Sequence, residues 1–596
     1  MGRDLEKKLA SEKSEQKAFF CYVKSKTKSR PGVGPLKQDG RNISDEGEMA
    51  EVLNTYFASV FQPTDLAAPP AHPPRKPGAQ CRLPRFRPSK IKQVIKSLKP
   101  NSAAGPDGIS PRLLQGMVNE LAAPLSHLYS KSMKEGVVPE DWRKANVTPI
   151  FKKGSRADPG NYRPVSLTSV PGKVMEALVK KEMVAHLDRH QLLKKSQHGF
   201  MKGRSCTTNL LEFLESVTDV LDKGNSMDVI YLDFSKAFDL VPTKKLLAKV
   251  KSHGITGPTL TWLEKWLSDR TQRVVLNGRA SAWRPVTSGV PQGSILGPIL
   301  FAIFINDLED DFEDNVTIIK KFADDTKLGQ EISSAADKLK LQSCLDSLDD
   351  WANRWDMKFN IEKCHVLHLG RSNPGHTYSL GGVTLASVEE ERDIGVIITA
   401  NLKPTKQCEK ATRTAHRILS QVLKAFSYRD KKVLPQIFKT YVRPHLEFAS
   451  PVWNPWSRGD VDLLENVQKR MVKQIKSLSG TSYEEKIREI GMVSLEERRC
   501  KQDLVQVFKI IHSHDRVSSN TWFKIIDKNR QHRTRLADGG LCLEQKRAKL
   551  DIRRNFFSHR IIKTWNNLPP DLRNYCSVAS FKHKLNQLSL TTEQAL

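Results

Sequence analysis

The sequence predicts an α+β fold, and three stretches carry this prediction. Residues 229–232 form a short, apolar, β-prone run, and the segment that follows to residue 250 has helical character with a break at Pro242. Residues 317–328 place two acidic residues between apolar runs, a pattern that is typical of a β-hairpin. Residues 405–510 have a helical pattern. Short strands and a C-terminal set of helices are therefore both expected.

Asp324 and Asp325 lie at the turn of the predicted hairpin. Neighbouring carboxylates repel each other and are costly to desolvate together, so an unpaired acidic pair at a tight turn favours a bound cation. The alternative is a solvated turn, because Asp is a common turn residue. A third carboxylate in an equally specific setting decides between the two interpretations.

Asp233 provides that third carboxylate, at the C-terminal end of the β-prone run. An Asp at the end of a buried strand is held rigidly, as two-metal phosphoryl transfer requires. Three carboxylates can bridge two Mg²⁺ ions about 3.5–4 Å apart, one activating an attacking hydroxyl and the other stabilising a leaving pyrophosphate. No His or Cys accompanies these acids, which argues against zinc.

Six short motifs occur in the order found in one known family. YLDFSKAFD at 231–239, SGVPQGS at 288–294 and FADD at 322–325 resemble motifs A, B and C of a reverse transcriptase. The flanking motifs are AGPDGI at 104–109, NYRPVSL at 161–167 and QHGF at 197–200. Together they resemble the reverse transcriptases of non-LTR retrotransposons (LINE elements) of the CR1/Jockey type. The resemblance extends from about residue 90 to near the C-terminus.

The resemblance implies an RNA-directed DNA polymerase with a right-hand fold: fingers, an α+β palm with an antiparallel sheet plus helices, and an α-helical thumb. Its partners would be an RNA template, a DNA primer, the RNA–DNA hybrid and dNTPs. Asp233, Asp324 and Asp325 would be both the catalytic residues and the ligands of two Mg²⁺ ions, with Mn²⁺ as an alternative. An inactive, nucleic-acid-binding remnant of a truncated element is the competing interpretation.

By resemblance, Lys152 or Lys153 and Arg163 supply positive charge to the triphosphate of the incoming nucleotide, where charge builds on the pyrophosphate during transfer. A solvated basic hairpin is the alternative, above all for Lys153. QHGF and Gly203-Arg204 are interpreted as a loop against the template backbone, where glycine permits close approach.

Phe238 resembles the steric gate that excludes a ribose 2′-hydroxyl, and Phe234 beside it is also assigned to nucleotide binding. This gate argues against an RNA-directed RNA polymerase, and a core phenylalanine is the alternative. Gln292, in a glycine-rich loop, can hydrogen-bond to nucleotide or template, and Asp239 is assigned a structural role. Lys363 is the candidate general acid for the leaving pyrophosphate. Residues 392–398 resemble the primer-grip hairpin. Ordinary palm scaffolding is the alternative for this hairpin and for the segment around Lys363.

Composition agrees with a nucleic-acid partner. The 596 residues include 96 Lys and Arg against 66 Asp and Glu, a formal net charge of +30, which favours a polyanion. Nine scattered cysteines form no disulfide framework and no zinc spacing. With no signal peptide and no membrane-spanning run, an intracellular location in the nucleus and/or cytoplasm is expected, without secretion or a membrane partner.

The expected domains follow from composition and resemblance. The N-terminal part resembles the connector that lies between an endonuclease and the polymerase in these elements, and no stretch upstream is long enough for the endonuclease itself. The predicted boundaries are 1–62 for a helical connector, 63–88 for a Pro-rich linker, 89–400 for fingers and palm (core about 131–400), 401–510 for a helical thumb, and 511–596 for a region of unknown role.

Overall fold

The computed structural model describes residues 2–11, 16–26, 32–38, 40–63, 68–312, 316–526 and 541–588. Helices predominate, and two five-stranded sheets hold most of the residues that the sequence singles out. The mixture confirms the predicted α+β class. No helix in these ranges combines the length and the apolar character that a bilayer crossing requires.

Within the described ranges, the first 222 residues contain nine α-helices and four strands. In chain order they are α1 (Gly2–Ser11), α2 (Gln16–Lys26), β1 (Leu36–Gln38), β2 (Arg41–Ile43), α3 (Glu46–Ala58), α4 (Pro88–Ser97), α5 (Pro111–Gly116), α6 (Val118–Glu135), α7 (Glu140–Arg143), β3 (Lys144–Phe151), β4 (Tyr162–Thr168), α8 (Val170–His190) and α9 (Cys206–Asp222).

The central part alternates strands and helices. It contains β5 (Ser226–Leu232), α10 (Ala237–Leu240), α11 (Thr243–Ser252), α12 (Gly257–Leu267), β6 (Arg270–Leu276), β7 (Arg279–Ala280), β8 (Arg284–Val286), α13 (Gly297–Phe304), β9 (Ile318–Phe322), β10 (Asp325–Ile332), α14 (Ala335–Arg354), β11 (His365–Leu369), β12 (Ser379–Leu380), β13 (Val383–Thr384), β14 (Ala386–Val388), β15 (Glu390–Asp393) and β16 (Val396–Thr399).

The described C-terminal part is helical. Its helices are α15 (Thr405–Ala425), α16 (Val433–Ile437), a π-helical turn (Phe438–Val442), α17 (Arg443–Glu447), α18 (Ser450–Trp453), α19 (Arg458–Val472), α20 (Tyr483–Glu489), α21 (Leu495–Ile511), α22 (Ser519–Trp522), α23 (Asp551–Arg554), α24 (Phe557–Asn566), α25 (Pro570–Arg573) and α26 (Val578–Gln587).

The palm sheet is formed by β14, β11, β5, β10 and β9 in that spatial order. β11 and β14 run parallel, and the other neighbours are antiparallel. β5 is buried along its whole length, which explains its largely apolar sequence. Asp228 within it is stabilised as a carboxylate, since it accepts hydrogen bonds from Tyr378 and Asn373 and pairs with His368.

The fingers sheet is formed by β4, β3, β6 and β7, with β8 also paired to β6. β1 and α3 cover this sheet: Leu36, Leu53 and Phe57 share a hydrophobic core with Val147 of β3 and Val274 of β6. The segment with β1, β2 and α3 is therefore attached to this sheet, and its β1–β2 hairpin is not predicted by the sequence.

The Pro-rich segment packs against other parts of the chain. The described residues 68–87 contain no helix or strand, in agreement with an extended chain, but they are bound along their length. The backbone N–H groups of Arg75 and Cys81 donate to the carbonyls of Ser252 and Gly254. Phe86 is buried. Prolines remove helical periodicity, so the sequence shows an extended chain without showing what it packs against.

The C-terminal helices pack on the palm as well as on one another. Arg553 is buried and its guanidinium lies 2.7 Å from Glu215 Oε1 of α9, where the Ser558 hydroxyl also donates to Glu215. Asp222, at the end of α9, accepts hydrogen bonds from the backbone N–H groups of Lys549 and Leu550. The described part of the region beyond residue 511 is thus integrated with the rest of the molecule.

Candidate active site

The register of the palm sheet brings the acidic residues together. β10 pairs antiparallel with β5, with Thr326 opposite Leu232, so the next residues in the same register are Asp325 and Asp233. β9 and β10 form the predicted hairpin, in which Phe322 pairs with Asp325 across the two-residue turn Ala323-Asp324. Both the hairpin and the strand that ends before Asp233 agree with the sequence-based prediction.

The QHGF motif holds the turn of this hairpin in place. Ala323 has a left-handed backbone with φ of 58°, an uncommon conformation for a residue with a Cβ. The side-chain oxygen of Gln197 accepts hydrogen bonds from the backbone N–H groups of Ala323 (3.0 Å) and Gly199 (2.7 Å). The strand residue Lys321 is bound on both sides by backbone hydrogen bonds to Ser196 and His198.

Gly199 shows what the glycine of this motif does. A Cβ placed there would lie 2.3 Å from the backbone nitrogen of Ala323. Gly199 thus permits a close approach to the protein's own backbone, and contact of this loop with the template backbone stays a prediction. The loop positions the turn that carries Asp324 and Asp325.

The pKa values of the two carboxyl groups at the turn, Asp324 and Asp325, are raised. Burial, followed by the negative charges of Asp324 and Asp233, raises the pKa of Asp325 to about 7. Burial and the charge of Asp233 also raise the pKa of Asp324. Lys363 Nζ donates to Asp233 Oδ2 at 2.6 Å and supplies part of the positive charge that this cluster needs.

The donor set has the chemistry that a hard divalent cation prefers, since it contains carboxylate oxygens alone. Within the described ranges, no group of three or more His, Cys, Asp or Glu side chains is already assembled as a metal site. The fit of the site to a divalent metal ion therefore rests on its carboxylate ligands and on their concentrated negative charge. Members of the reverse transcriptase family, which motifs A to C resemble, generally use divalent metal ions.

Lys363 lies where the chain returns to the end of β5. The backbone N–H of Asn360 donates to the carbonyl of Asp233 at 2.8 Å, and that of Ser235 donates to Lys358. A 3₁₀ turn, Ile361–Lys363, follows and aims the lysine at Asp233. The sequence singled out Lys363, but its ion pair with Asp233 becomes visible only in three dimensions.

A cavity of about 680 Å³ lies between the fingers sheet and the palm. Its wall includes the five predicted nucleotide-binding residues and two of the three predicted catalytic carboxylates: Lys152, Arg163, Phe234, Phe238, Gln292, Asp233 and Asp324. Lys152 directly follows β3, and Arg163 lies in the adjacent strand β4. Burial, then the charges of Arg163 and Lys363, lower the pKa of Lys152, which places these cations in one electrostatic neighbourhood.

The two phenylalanines of motif A have different surroundings. Phe238 is half-buried on the cavity wall, and its ring stacks on Phe301 with centroids 4.6 Å apart. Phe234 is only 2% exposed, and its ring stacks on Phe359 at 4.4 Å within the core. The ring of Phe234 therefore has little surface to offer a nucleotide, although the residue borders the cavity.

Gln292 is fixed between motif A and the fingers. Its side-chain nitrogen donates to Asp239 Oδ1 at 3.1 Å. Its backbone carbonyl accepts a hydrogen bond from the backbone N–H of Ser166 in β4. Burial raises the pKa of Asp239 to about 6. Asp239 is thus a positioning residue for the Gln292 side chain, which agrees with a structural role.

A second cavity, of about 360 Å³, shares Asp233, Lys152 and Lys363 with the first. Its wall includes Arg392, in the hairpin formed by β15 and β16. A buried ion pair between Lys327 of β10 and Asp393 of β15 attaches this hairpin to the strand that begins with Asp325.

Sequence reasoning missed the contribution of α3 to the first cavity. Tyr56 and Phe57 of α3, with Val60 and Phe61 just after it, belong to its wall. After α3, the backbone N–H of Gln62 donates to the Ser288 hydroxyl, and the Thr287 hydroxyl donates to the Gln62 carbonyl. The helical spacing of these aromatic residues indicates only a face that packs; nothing in the sequence shows that the face meets the active site.

The sequence of this chain is similar to a known protein family. Residues 150–439 match the family model of the reverse transcriptase (RNA-dependent DNA polymerase). This segment contains Arg163, motifs A to C and Lys363, whereas Tyr56 lies outside it.

Relatives include the RNA-directed DNA polymerase from mobile element jockey of Drosophila melanogaster, which is 26% identical over 67% of this chain and 44% of its own length. The probable RNA-directed DNA polymerase from transposon X-element of the same species is 25% identical over 72% and 48%. The chain thus spans less than half the length of these curated relatives.

Among solved structures, an apo telomerase from Candida tropicalis, truncated from its C-terminal domain, is 13% identical, with a TM-score of 0.32 over 50% of this chain and 62% of that chain. The family match, the retrotransposon relatives and the palm geometry agree with one another. Residues 150–439 of this chain form a reverse transcriptase domain of the type that non-LTR retrotransposons carry.

Proposed function

We propose that the chain extends the 3′-hydroxyl of a primer with dNTPs on an RNA template. The primer hydroxyl attacks the α-phosphate of the bound nucleotide, and pyrophosphate leaves. One observation carries the proposal: Asp233 and Asp324 line a cavity whose wall also includes Lys152 and Arg163, and the sheet register sets Asp325 opposite Asp233. This combination suits a substrate with a triphosphate, because carboxylates and cations line one space.

Each wall of the cavity has a defined task in this reaction. Lys152 and Arg163 bind the triphosphate and hold it in line with the primer. Phe238, stacked on Phe301, cannot yield easily to a 2′-hydroxyl and so favours dNTPs over rNTPs. Gln292, oriented by Asp239, contacts the nucleotide or template base.

In the proposed reaction, Lys363 protonates the leaving pyrophosphate. Its ammonium group lies 2.6 Å from Asp233 Oδ2, at the edge shared by both cavities. The second cavity, with Arg392 in its wall, is the proposed site of the primer terminus. Two Mg²⁺ ions held by Asp233, Asp324 and Asp325 would activate the primer hydroxyl and offset charge on the pyrophosphate.

The proposed domains follow the described elements. Residues 89–400 are the fingers and palm, and the helices between 401 and 510 are the thumb, where basic faces would grip the RNA–DNA hybrid through its phosphates. Residues 1–62 form a connector that is attached to the fingers by α3. The proposed partners are an RNA template, a DNA primer, their hybrid and dNTPs.

The test is primer extension on an oligonucleotide-primed RNA template with dNTPs and Mg²⁺. Asp324→Asn should reduce the extension rate by about three orders of magnitude, the equivalent of about 4 kcal/mol in the barrier, because a carboxylate is lost from the cluster. Asp350→Asn, on the exposed face of α14, is the matched control and should extend like the wild type. Template binding without extension by the wild type would instead establish an inactive nucleic-acid-binding protein.

A further inference from the structure

Tyr56 of α3 touches two parts of the cavity wall that belong to the family-matched segment. Its hydroxyl oxygen accepts a hydrogen bond from Lys236 Nζ at 3.1 Å, and the same ammonium lies 4.5 Å from the centroid of the Tyr56 ring. On the other side, a methyl group added to Gly160 would lie 3.0 Å from the Tyr56 hydroxyl. Gly160 is in the turn between β3 and β4, so Tyr56 bridges this fingers turn and motif A.

Lys236 is an exposed cation in motif A whose role the reaction described above leaves open. Within the described ranges it makes no ion pair with a carboxylate, and neither do Lys152 and Arg163. Lys236 and Arg163 both act on the carboxyl of Asp239, where their positive charges oppose the effect of burial on its pKa. The two cations therefore lie close to one common point.

Three such cations on one cavity wall favour a polyanionic ligand. Like charges repel, so a cluster without carboxylate partners is stabilised by an anion that spans it. A triphosphate carries several negative charges and strong acceptor oxygens on adjacent groups. A lysine on a flexible stem loses rotamer freedom when it binds, and contact with a tyrosine ring and hydroxyl reduces that loss beforehand.

We propose that Lys236 binds the triphosphate of the incoming nucleotide and that Tyr56 is the positioning residue that holds its ammonium group in the cavity. This inference rests on the proposed polymerase function. It makes α3, which lies outside residues 150–439, a working part of the nucleotide site. Tyr56 acts through Lys236 and need not touch the substrate.

The test compares single-nucleotide extension by full-length variants. Lys236→Met should raise the apparent KM for dNTP about tenfold, with kcat within about twofold and an unchanged Kd for the primer–template, because binding of substrate and transition state is lost equally. Tyr56→Leu should raise KM in the same way by about threefold to tenfold. Tyr56→Phe, which keeps the ring, should raise KM less than Tyr56→Leu does. Lys236→Arg, which keeps the positive charge, should have a KM near that of the wild type.

Lys244→Met is the matched control, because Lys244 is exposed on α11 and is not part of the cavity wall. A second measurement uses inorganic tripolyphosphate as the probe and follows thermal unfolding. Tripolyphosphate should raise the Tm of the wild type and of Lys244→Met, and should raise that of Lys236→Met and Tyr56→Leu much less.

The outcomes separate the two proposals. A folded wild type that does not extend primers overturns the polymerase function, while the tripolyphosphate shift still decides whether Lys236 and Tyr56 bind a triphosphate. A wild type that extends, together with an unchanged KM and an unchanged tripolyphosphate shift in Lys236→Met, overturns the role of Lys236. A fall in kcat alone for Tyr56→Leu, with normal KM, overturns the positioning role.

Discussion

At the scale of single residues, the turn before the acidic pair depends on a hydrogen-bond acceptor from a distant loop. Ala323 has a positive φ, and Gln197 satisfies its backbone N–H. Such a conformation persists only where the surroundings determine it. Gly199 permits the close approach, since any Cβ there would collide with the Ala323 nitrogen.

Gly199→Ala should therefore displace the turn and its carboxylates. A misplacement of about 1 Å in a catalytic group can reduce the rate about 100-fold, and we expect a loss of that order in primer extension. Gly116→Ala is the control, because a Cβ at Gly116 has open space and its φ is not positive. Circular dichroism should report a folded protein in both variants. Wild-type extension by Gly199→Ala would show that the turn tolerates the displacement.

A second prediction concerns the pH dependence of stability through Asp239. Burial raises its folded pKa to about 6, above the value near 3.9 of an unfolded Asp. The folded state thus holds the proton more tightly than the unfolded state. The resulting stabilisation is complete below about pH 4 and is lost as the pH rises through 6. Asp239→Asn removes this dependence while keeping an acceptor for Gln292.

Thermal unfolding of wild type and Asp239→Asn between pH 4 and pH 7 measures this effect. The Tm of the variant minus that of the wild type should become more positive as the pH rises. Parallel Tm profiles would contradict the prediction, because they would mean that the carboxyl of Asp239 has the same pKa in both states.

At the scale of elements, one buried lysine links three helices of the palm. Lys249 of α11 donates to Asp307 Oδ1 at 2.6 Å and to the carbonyl of Phe304 in α13. Its ammonium lies 3.5 Å from the Trp355 ring centroid, just after α14. His72 of the Pro-rich segment reaches the other oxygen of Asp307. Burial lowers the pKa of Lys249, and the ion pair with Asp307 opposes that effect.

Lys249→Met should leave Asp307 buried without its nearest cation. Breaking a buried pair in this way costs about 3–5 kcal/mol, so the free energy of unfolding measured with urea should fall by about that amount. Lys249→Met combined with Asp307→Asn should recover most of the loss. Lys251→Met, at an exposed position of the same helix, should change stability by less than about 0.5 kcal/mol. Equal stability of the single and double variants would refute the pairing.

Elements with a local signal were predictable, and those defined by distant contacts were not. The hairpin around Asp324 and the strand before Asp233 follow from apolar runs and turn residues, and both are present. The packing of residues 68–87 and the approach of Tyr56 to the cavity depend on partners far away in sequence, which periodicity cannot identify. Phe234 illustrates the same limit: its motif indicates a nucleotide site, whereas its ring is enclosed by the core.

At the scale of the whole molecule, the N-terminal region contacts both the fingers sheet and the C-terminal helices. β1 and α3 pack on the fingers sheet, whereas α1 and α2 pack on the C-terminal helices. The carboxylate of Glu6 accepts hydrogen bonds from the backbone N–H groups of Ser427 and Tyr428 and from the Tyr22 hydroxyl. A change in the contact of α2 should therefore mainly destabilise the C-terminal helices between residues 401 and 510, here called the bundle.

Phe19 is buried in the contact between α2 and the bundle. Its ring is 1% exposed and stacks on Tyr441 with centroids 3.6 Å apart, and Phe426 lies at 5.4 Å. Truncation of a buried phenylalanine costs about 3–5 kcal/mol, and Phe19→Ala should weaken the docking of α2 by about that amount. Amide hydrogen exchange should then become faster at residues 422–442 and remain unchanged in β3 and β4.

Phe20 provides the matched control, since it is 49% exposed and meets Tyr441 only edge-on at 5.5 Å. Phe20→Ala should accelerate exchange at residues 422–442 much less than Phe19→Ala does, because little apolar surface is lost. If Phe19→Ala accelerated exchange equally in the bundle and in the fingers sheet, the molecule would open as one cooperative unit. The N-terminal helices would then stabilise the whole chain, and not the bundle alone.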